Sequence, residues 1–215
     1  MTICSFVVLF SIVFNPAFAQ LTDNFDDAEI FSSPTWSGNT ENFTALNNEL
    51  QLMDNDPVLT QSYLSTPNTM SSLDGKEWRI WINQTFSGSD ANQSRIYLTS
   101  NTSSFSYTAN NSAGAIGYYL KLGEALSGDV LRFYKDDGTN VQLIASGTTN
   151  ISASFQMRIK VSRNASGNWT IAIDTSGGEN YVDEMTFTEN SLNTSDYFGI
   201  VCTYTSSNAD NFFFG

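Results

Sequence analysis

The chain has 215 residues, with 9 Lys and Arg against 22 Asp and Glu, no histidine, and a formal net charge of −13 at pH 7. That charge repels nucleic-acid phosphates, and the missing imidazole excludes a Ser-His-Asp triad, a Cys-His pair and imidazole-bound zinc. The acidity suits a soluble extracellular protein or one that takes up calcium.

Residues 3–14 are almost wholly apolar. That is the length of a signal-peptide core and too short to span a bilayer. Pro16 breaks the run, and Ala17-Phe18-Ala19 supplies the small-x-small pattern that signal peptidase requires, which places the cut before Gln20. Residues 1–19 are expected to be a signal peptide, and 20–215 a single domain, secreted or at the cell surface. No Lys or Arg precedes the apolar core, and Cys4 lies too early to be an acylated lipoprotein cysteine. After cleavage only Cys202 remains, so no internal disulfide forms. No later run is long and apolar enough to span a membrane.

Strand signals fill the remainder. Asn47-Asn48 separates the runs at 43–46 and 50–53. Aromatic and β-branched residues at 78–83 and alternation at 94–99 mark two more strands. Others read at 117–122, 130–134, 141–145, 155–161, 169–174, 185–187 and 197–204. The clearest period-2 pattern is Phe155-Gln156-Met157-Arg158-Ile159-Lys160-Val161, apolar at odd positions and polar at even ones, so one face meets a core and the other meets water. Asp136-Asp137-Gly138 and Asn164-Ala165-Ser166-Gly167-Asn168 read as hairpin turns. Pro34, Pro57 and Pro67 are expected in connections, and residues 101–113 as one long loop beside a binding surface. No segment holds a helical period. A dozen or more short antiparallel strands imply a sandwich or barrel, and a large jelly-roll β-sandwich fits better than an immunoglobulin-type domain.

A series of motifs then adds a resemblance. In order they are Asp23-Asn24-Phe25-Asp26-Asp27, Trp36-Ser37-Gly38-Asn39, Glu77-Trp78-Arg79-Ile80-Trp81, Gly117-Tyr118-Tyr119-Leu120-Lys121-Leu122-Gly123-Glu124, Arg163-Asn164-Ala165-Ser166-Gly167-Asn168-Trp169 and Tyr204-Thr205-Ser206-Ser207-Asn208. They resemble the N-terminal domain of large secreted surface proteins of Bacteroidetes-type bacteria, which often carry lamin-tail or sorting domains downstream. The resemblance covers essentially the whole mature chain and rests on diffuse structural motifs. It implies an all-β, antiparallel jelly-roll β-sandwich of the concanavalin-A-like, laminin-G-like kind, with further domains downstream. Such domains continue past their last aromatic strand, whereas this sequence stops at Phe212-Phe213-Phe214-Gly215; the domain is expected to be truncated there.

Catalysis by a retaining glycosidase needs two carboxylates about 5 Å apart, and no Glu-x-Asp-x-x-Glu strand motif is present. Glycan binding needs exposed rings flanked by amides and carboxylates. Trp36, Trp81, Tyr97, Tyr118 and Tyr119 are the candidate rings. Trp78 and Trp81 fall on opposite faces of a regular strand, as do Tyr118 and Tyr119, which leaves one ring of each pair free for a ligand. Asp23, Asp26, Asp27 and Asp210 are candidate calcium ligands. They would converge if the terminal strands pair, and the resemblance implies a structural Ca²⁺ near the termini. Asn-x-Ser/Thr tripeptides at Asn42, Asn83, Asn92 and elsewhere arise readily in so Asn-rich a chain. The resulting expectation is a non-catalytic, surface-associated module that binds glycan or another surface ligand. The competing readings are a structural spacer and a glycoside hydrolase.

Overall fold

The computed structural model describes residues 21–57, 61–105, 112–125 and 128–215, so the expected signal peptide lies outside the described residues. Fourteen strands are present among them, in the order β1 (Ser37–Gly38), β2 (Phe43–Leu46), β3 (Glu49–Leu52), β4 (Gln61–Met70), β5 (Lys76–Gln84), β6 (Gln93–Ser100), β7 (Ile116–Leu122), β8 (Arg132–Asp137), β9 (Val141–Ser146), β10 (Phe155–Arg163), β11 (Asn168–Asp174), β12 (Val182–Thr188), β13 (Ser195–Thr203) and β14 (Phe212–Phe214). The described helical structure is two 3-10 turns, Thr40–Asn42 and Ser206–Asn208.

Two seven-stranded antiparallel sheets face each other. The first runs β1-β4-β13-β6-β7-β8-β9 and the second β12-β11-β10-β5-β14-β3-β2. Alternation sets the core. In the β10–β5 ladder, Met157 lies opposite Ile82, Ile159 opposite Ile80 and Val161 opposite Trp78, and all six side chains point between the sheets and are buried. Trp169 of β11 is fully buried and stacks on Trp78 at 5.7 Å and 18°. Phe133 and Tyr118 of the first sheet approach it at 5.0 and 5.1 Å. Each such side chain contributes roughly 1.5–3 kcal/mol by leaving water. Cys202 joins this core as a free thiol, its pKa pushed well up by burial.

The Asn47-Asn48 hairpin forms as expected, with φ of 56° and 66°, the left-handed pair that a tight two-residue turn requires. Two expectations shift. Pro67 lies inside β4, not in a connection; it sits opposite Tyr197 at a register irregularity, where a missing donor is tolerated. Asp136 belongs to β8, and the turn begins at Asp137, whose N–H donates to the Asn140 carbonyl at 3.1 Å.

The lateral edges of the two sheets are tied together. On one side the chain itself passes from β1 to β2 through the turn at Thr40–Asn42. On the other, Glu184 of β12 reaches toward β9 of the opposite sheet. Its Oε1 accepts from the N–H groups of Thr148 (2.5 Å) and Thr149 (2.7 Å), and its Oε2 from the Thr149 hydroxyl (2.7 Å).

Candidate functional site

In a two-layer sandwich the outer face of each sheet should be polar and wet. The outer face of the first sheet is dry along β6 and most of β7. Every residue of β6 is buried, on both faces of the strand. The cause is a row of rings crossing the sheet, closed over by residues from the 101–115 connection. Phe105 packs against Tyr63 of β4 (5.7 Å) and Tyr97 of β6 (4.5 Å). Tyr97 contacts Tyr119 of β7 at 4.8 Å, and Tyr119 stacks on Tyr134 of β8 at 5.1 Å and 6°. Phe105 is seated on Gly199 of β13, where an added Cβ would collide with its ring. Ala113, Ala115 and Val201 complete this second cluster.

Asp136 fastens the covering segment. It is fully buried, and its Oδ1 accepts from the Ser112 hydroxyl (2.6 Å) and the Gly138 N–H (3.0 Å). Its Oδ2 accepts from the Ala113 N–H (3.0 Å) and the Tyr97 hydroxyl (3.1 Å). A buried carboxylate is tolerable only when its lone pairs are filled in this way.

Two residues along the same strands, or about 7 Å away, runs a second row, of charges. Arg95 of β6, Lys121 of β7 and Arg132 of β8 stand side by side in the ladder register. Glu124, just past β7, is the shared counter-ion of Lys121 and Arg132. Its Oε2 lies 3.2 Å from Lys121 Nζ and 3.5 Å from an Arg132 guanidinium nitrogen, and its Oε1 is 3.5 Å from the Tyr134 hydroxyl. Asp90 stands 3.8 Å from Lys121 and is largely exposed. Arg95 donates to Gln93 at 3.1 Å and lies 5.8 Å from the Tyr119 ring centre. Burial works against the Arg132 charge, but the Tyr134 hydroxyl and Glu124 outweigh it and hold its pKa above the ordinary value. Burial likewise raises the Tyr134 phenol. The mouth of this cluster combines a half-buried tyrosine ring, a carboxylate acceptor and two cationic donors.

The structure distributes the expected ligand residues unevenly. Tyr97 and Tyr119 do share this outer face, but both are buried in the ring row. Tyr118 is fully buried in the inter-sheet core; its hydroxyl donates to Glu189 and accepts from the Leu192 N–H, both at 3.0 Å. Trp36 is buried too, its indole N–H donating to Asp23 at 2.7 Å. Trp81 alone of the five stays half-exposed, on the outer face of the second sheet opposite Arg158. Strand alternation separated Trp78 from Trp81 and Tyr118 from Tyr119; it could not tell that the face of Tyr119 is covered. Lys121, Glu124, Arg132, Tyr134 and Asp136 were missed as site residues. The available signal was Lys121 two residues beyond Tyr119, on the same face.

The four acidic residues do not assemble. Asp23 borders the same cleft as Gly215, whereas Asp210 sits in the turn before β14 and does not line that cleft. The Asp23 carboxylate is already taken by Trp36 and by the Phe25 N–H at 2.9 Å, and burial raises its pKa. Among the described residues no group of three or more Asp, Glu, Cys or His side chains could hold a metal ion. No described helix is long and apolar enough to cross a membrane.

No family model matches the sequence, and no curated protein matches it. Solved structures do. The exoplasmic/lumenal domain of VIP36 in its Ca²⁺/Man-bound form aligns with a TM-score of 0.59 over 84% of this chain and 80% of that one, at 13% identity. The legume lectin-like domain from Entamoeba histolytica gives 0.57 over 84% and 85%, at 11% identity. The fold is a concanavalin-A-like, legume-lectin-like β-sandwich. The carbohydrate-binding module CBM66 from Bacillus subtilis aligns more loosely, at 0.50 and 12% identity over 83% of this chain and 89% of that one.

Proposed function

We propose that this chain is a non-catalytic glycan-binding module, exported from the cytoplasm and forming part of a larger secreted or cell-surface protein. The observation that carries the reading is the pair of rows on the outer face of the first sheet. A sugar ring offers an apolar C–H face and vicinal hydroxyls. Tyr134 supplies a ring for the first, and Glu124 with Arg132 and Lys121 supplies an acceptor flanked by donors for the second. These groups are held by mutual contacts before any ligand arrives, which lowers the ordering cost of binding. The fold neighbours lend support: VIP36 structures carry Man, Man2 and Man3GlcNAc, and that domain is exoplasmic/lumenal. The Ca²⁺ of those structures has no matching carboxylate cluster among the described residues here. The face proposed is instead rich in cations, which favours direct recognition of hydroxyls over recognition through a divalent ion.

A glycan array tests the reading. Hits should weaken about tenfold or more with Glu124→Gln or Arg132→Ala, the scale of one charge-assisted hydrogen bond. A blank array supports the spacer alternative. Trp81, half-exposed beside Arg79 and Arg158, marks a second position. Hits abolished by Trp81→Ala yet untouched by both other substitutions would move the site to the second sheet.

A further inference from the structure

The ring row on the outer face of the first sheet ends at Tyr134, and its ending restricts what can bind there. Tyr119 and Tyr134 are ladder partners whose rings lie 5.1 Å apart and 6° from parallel. That separation is close to the spacing of paired strands, so each ring stands on its own strand with its faces turned along the sheet. One face of Tyr134 is taken by Tyr119. The other looks toward β9, the last strand of the sheet.

The ladder register places a particular residue on that side. Phe133 pairs with Ala145 but Tyr134 pairs with Leu143, so a bulge sets Ile144 aside. Ile144 packs against the inter-sheet core, and Leu143 takes the outer face beside Tyr134; re-aiming one side chain is what a bulge does. Directly opposed residues have their Cβ atoms about 5 Å apart. Leu143 is 44% exposed, while Val141, its neighbour on the same face, is half-buried and packs on the ring row. The free face of Tyr134 and the Leu143 side chain therefore form an apolar notch, one its wall and the other its floor. Hydrogen-bonding groups gather at one end of it. Glu124 Oε1 is 3.5 Å from the Tyr134 hydroxyl. Arg132 stands on the same face two residues along β8, about 7 Å away.

Resting on the glycan-binding reading above, we propose that the sugar this face selects is a 6-deoxyhexose, with its methyl group on Leu143 and its ring hydroxyls toward Glu124 and Arg132. A pyranose stacked by its C–H face on the open side of Tyr134 stands over Leu143. A hydroxymethyl group directed onto the leucine leaves its hydroxyl without a partner, and an acetamido group brings both an N–H and a C=O to the same place. A methyl group brings neither, and it covers apolar surface that is otherwise wet. Leu143 then sets which sugar is preferred and Glu124 sets how tightly any sugar is held, so the two properties can be measured apart.

The test titrates the protein with pairs of methyl glycosides that differ only at C6: L-fucose against L-galactose, L-rhamnose against L-mannose, and 6-deoxy-D-glucose against D-glucose. Dissociation constants are measured by NMR titration for the parent, Leu143→Ala and Glu124→Gln, with thermal midpoints confirming that each variant is folded. In the pair whose hydroxyl pattern fits, the deoxy sugar should bind about tenfold tighter. Leu143→Ala should erase most of that preference, whereas Glu124→Gln should weaken both members alike and keep their ratio. Equal affinity within every pair that binds, or a ratio that Leu143→Ala does not move, overturns the 6-deoxy assignment and leaves the glycan site standing. Binding that ignores Glu124→Gln, or no binding in any pair, removes the site itself and the assignment with it.

Discussion

Asp136→Ala removes the acceptor that holds the covering segment onto the first sheet. Four donors lose their partner: the Ser112 and Tyr97 hydroxyls and the Ala113 and Gly138 N–H groups. Bonds to a charged acceptor are worth about 1.5–3 kcal/mol each. Against that stands the desolvation of a fully buried carboxylate, several kcal/mol, which the substitution relieves. The net loss expected is about 3–5 kcal/mol, as for breaking other buried charged networks. At roughly 2–4 °C per kcal/mol for a domain this size, the thermal midpoint should fall by about 10 °C. Asp136→Asn keeps the shape but turns an amide NH₂ toward two donors, so it should cost nearly as much as alanine. Calorimetry at neutral pH measures both, and exchange of the Ala113 amide reports whether the segment lifts. A midpoint shift under about 2 °C for Asp136→Ala would refute the view that this carboxylate is the fastening.

Two further predictions concern the same architecture. Gly199→Ala sets a methyl group against the Phe105 ring and should destabilise by about 1–3 kcal/mol; adding Phe105→Ala should recover part of that loss, so the double substitution is non-additive in chemical denaturation. Burial pushes the Tyr118 phenol up to about 12, with nearby Glu189 adding to the shift and the Leu192 N–H opposing it. Because the folded value lies above the unfolded one near 10, this group's stabilisation is whole below pH 10 and drains away between pH 10 and 12. Tyr118→Phe should flatten that alkaline decline in denaturant midpoints, and an unchanged slope would exclude Tyr118 as its source.

Much of the fold was legible because alternation reports which face a residue takes. The 155–161 run became β10 with Met157, Ile159 and Val161 inward, and the Trp78/Trp81 and Tyr118/Tyr119 pairs divided between faces as their spacing demanded. What alternation cannot report is whether a face stays wet. Tyr97 and Tyr119 looked available for a ligand, yet Phe105 and Ala113, from the connection between β6 and β7, fold back over them, and neither these residues nor Gly199, which seats Phe105, carry a periodic signal. Asp136 was read as turn chemistry because Asp-Asp-Gly favours turns; its role depends on Ser112 and Tyr97, contacts made only after β6, β7 and β8 have aligned. The calcium ligands were read from acidic residues near the two ends of the chain; spacing along the sequence reports neither their separation in space nor that the Asp23 carboxylate is occupied by Trp36 and the Phe25 N–H.

The seams between β1 and β2 and between Glu184 and Thr148-Thr149 bear on how the protein behaves when crowded. Unpaired lateral strands are the usual nucleation points for intermolecular fibres. Here the four outermost strands meet in pairs across the sandwich, and β12 spends a carboxylate on locking its side. Strand exchange between copies is thereby discouraged at the flanks. Cutting the Glu184 latch should therefore surface first as turbidity at high concentration, before any loss of folded signal in dilute solution.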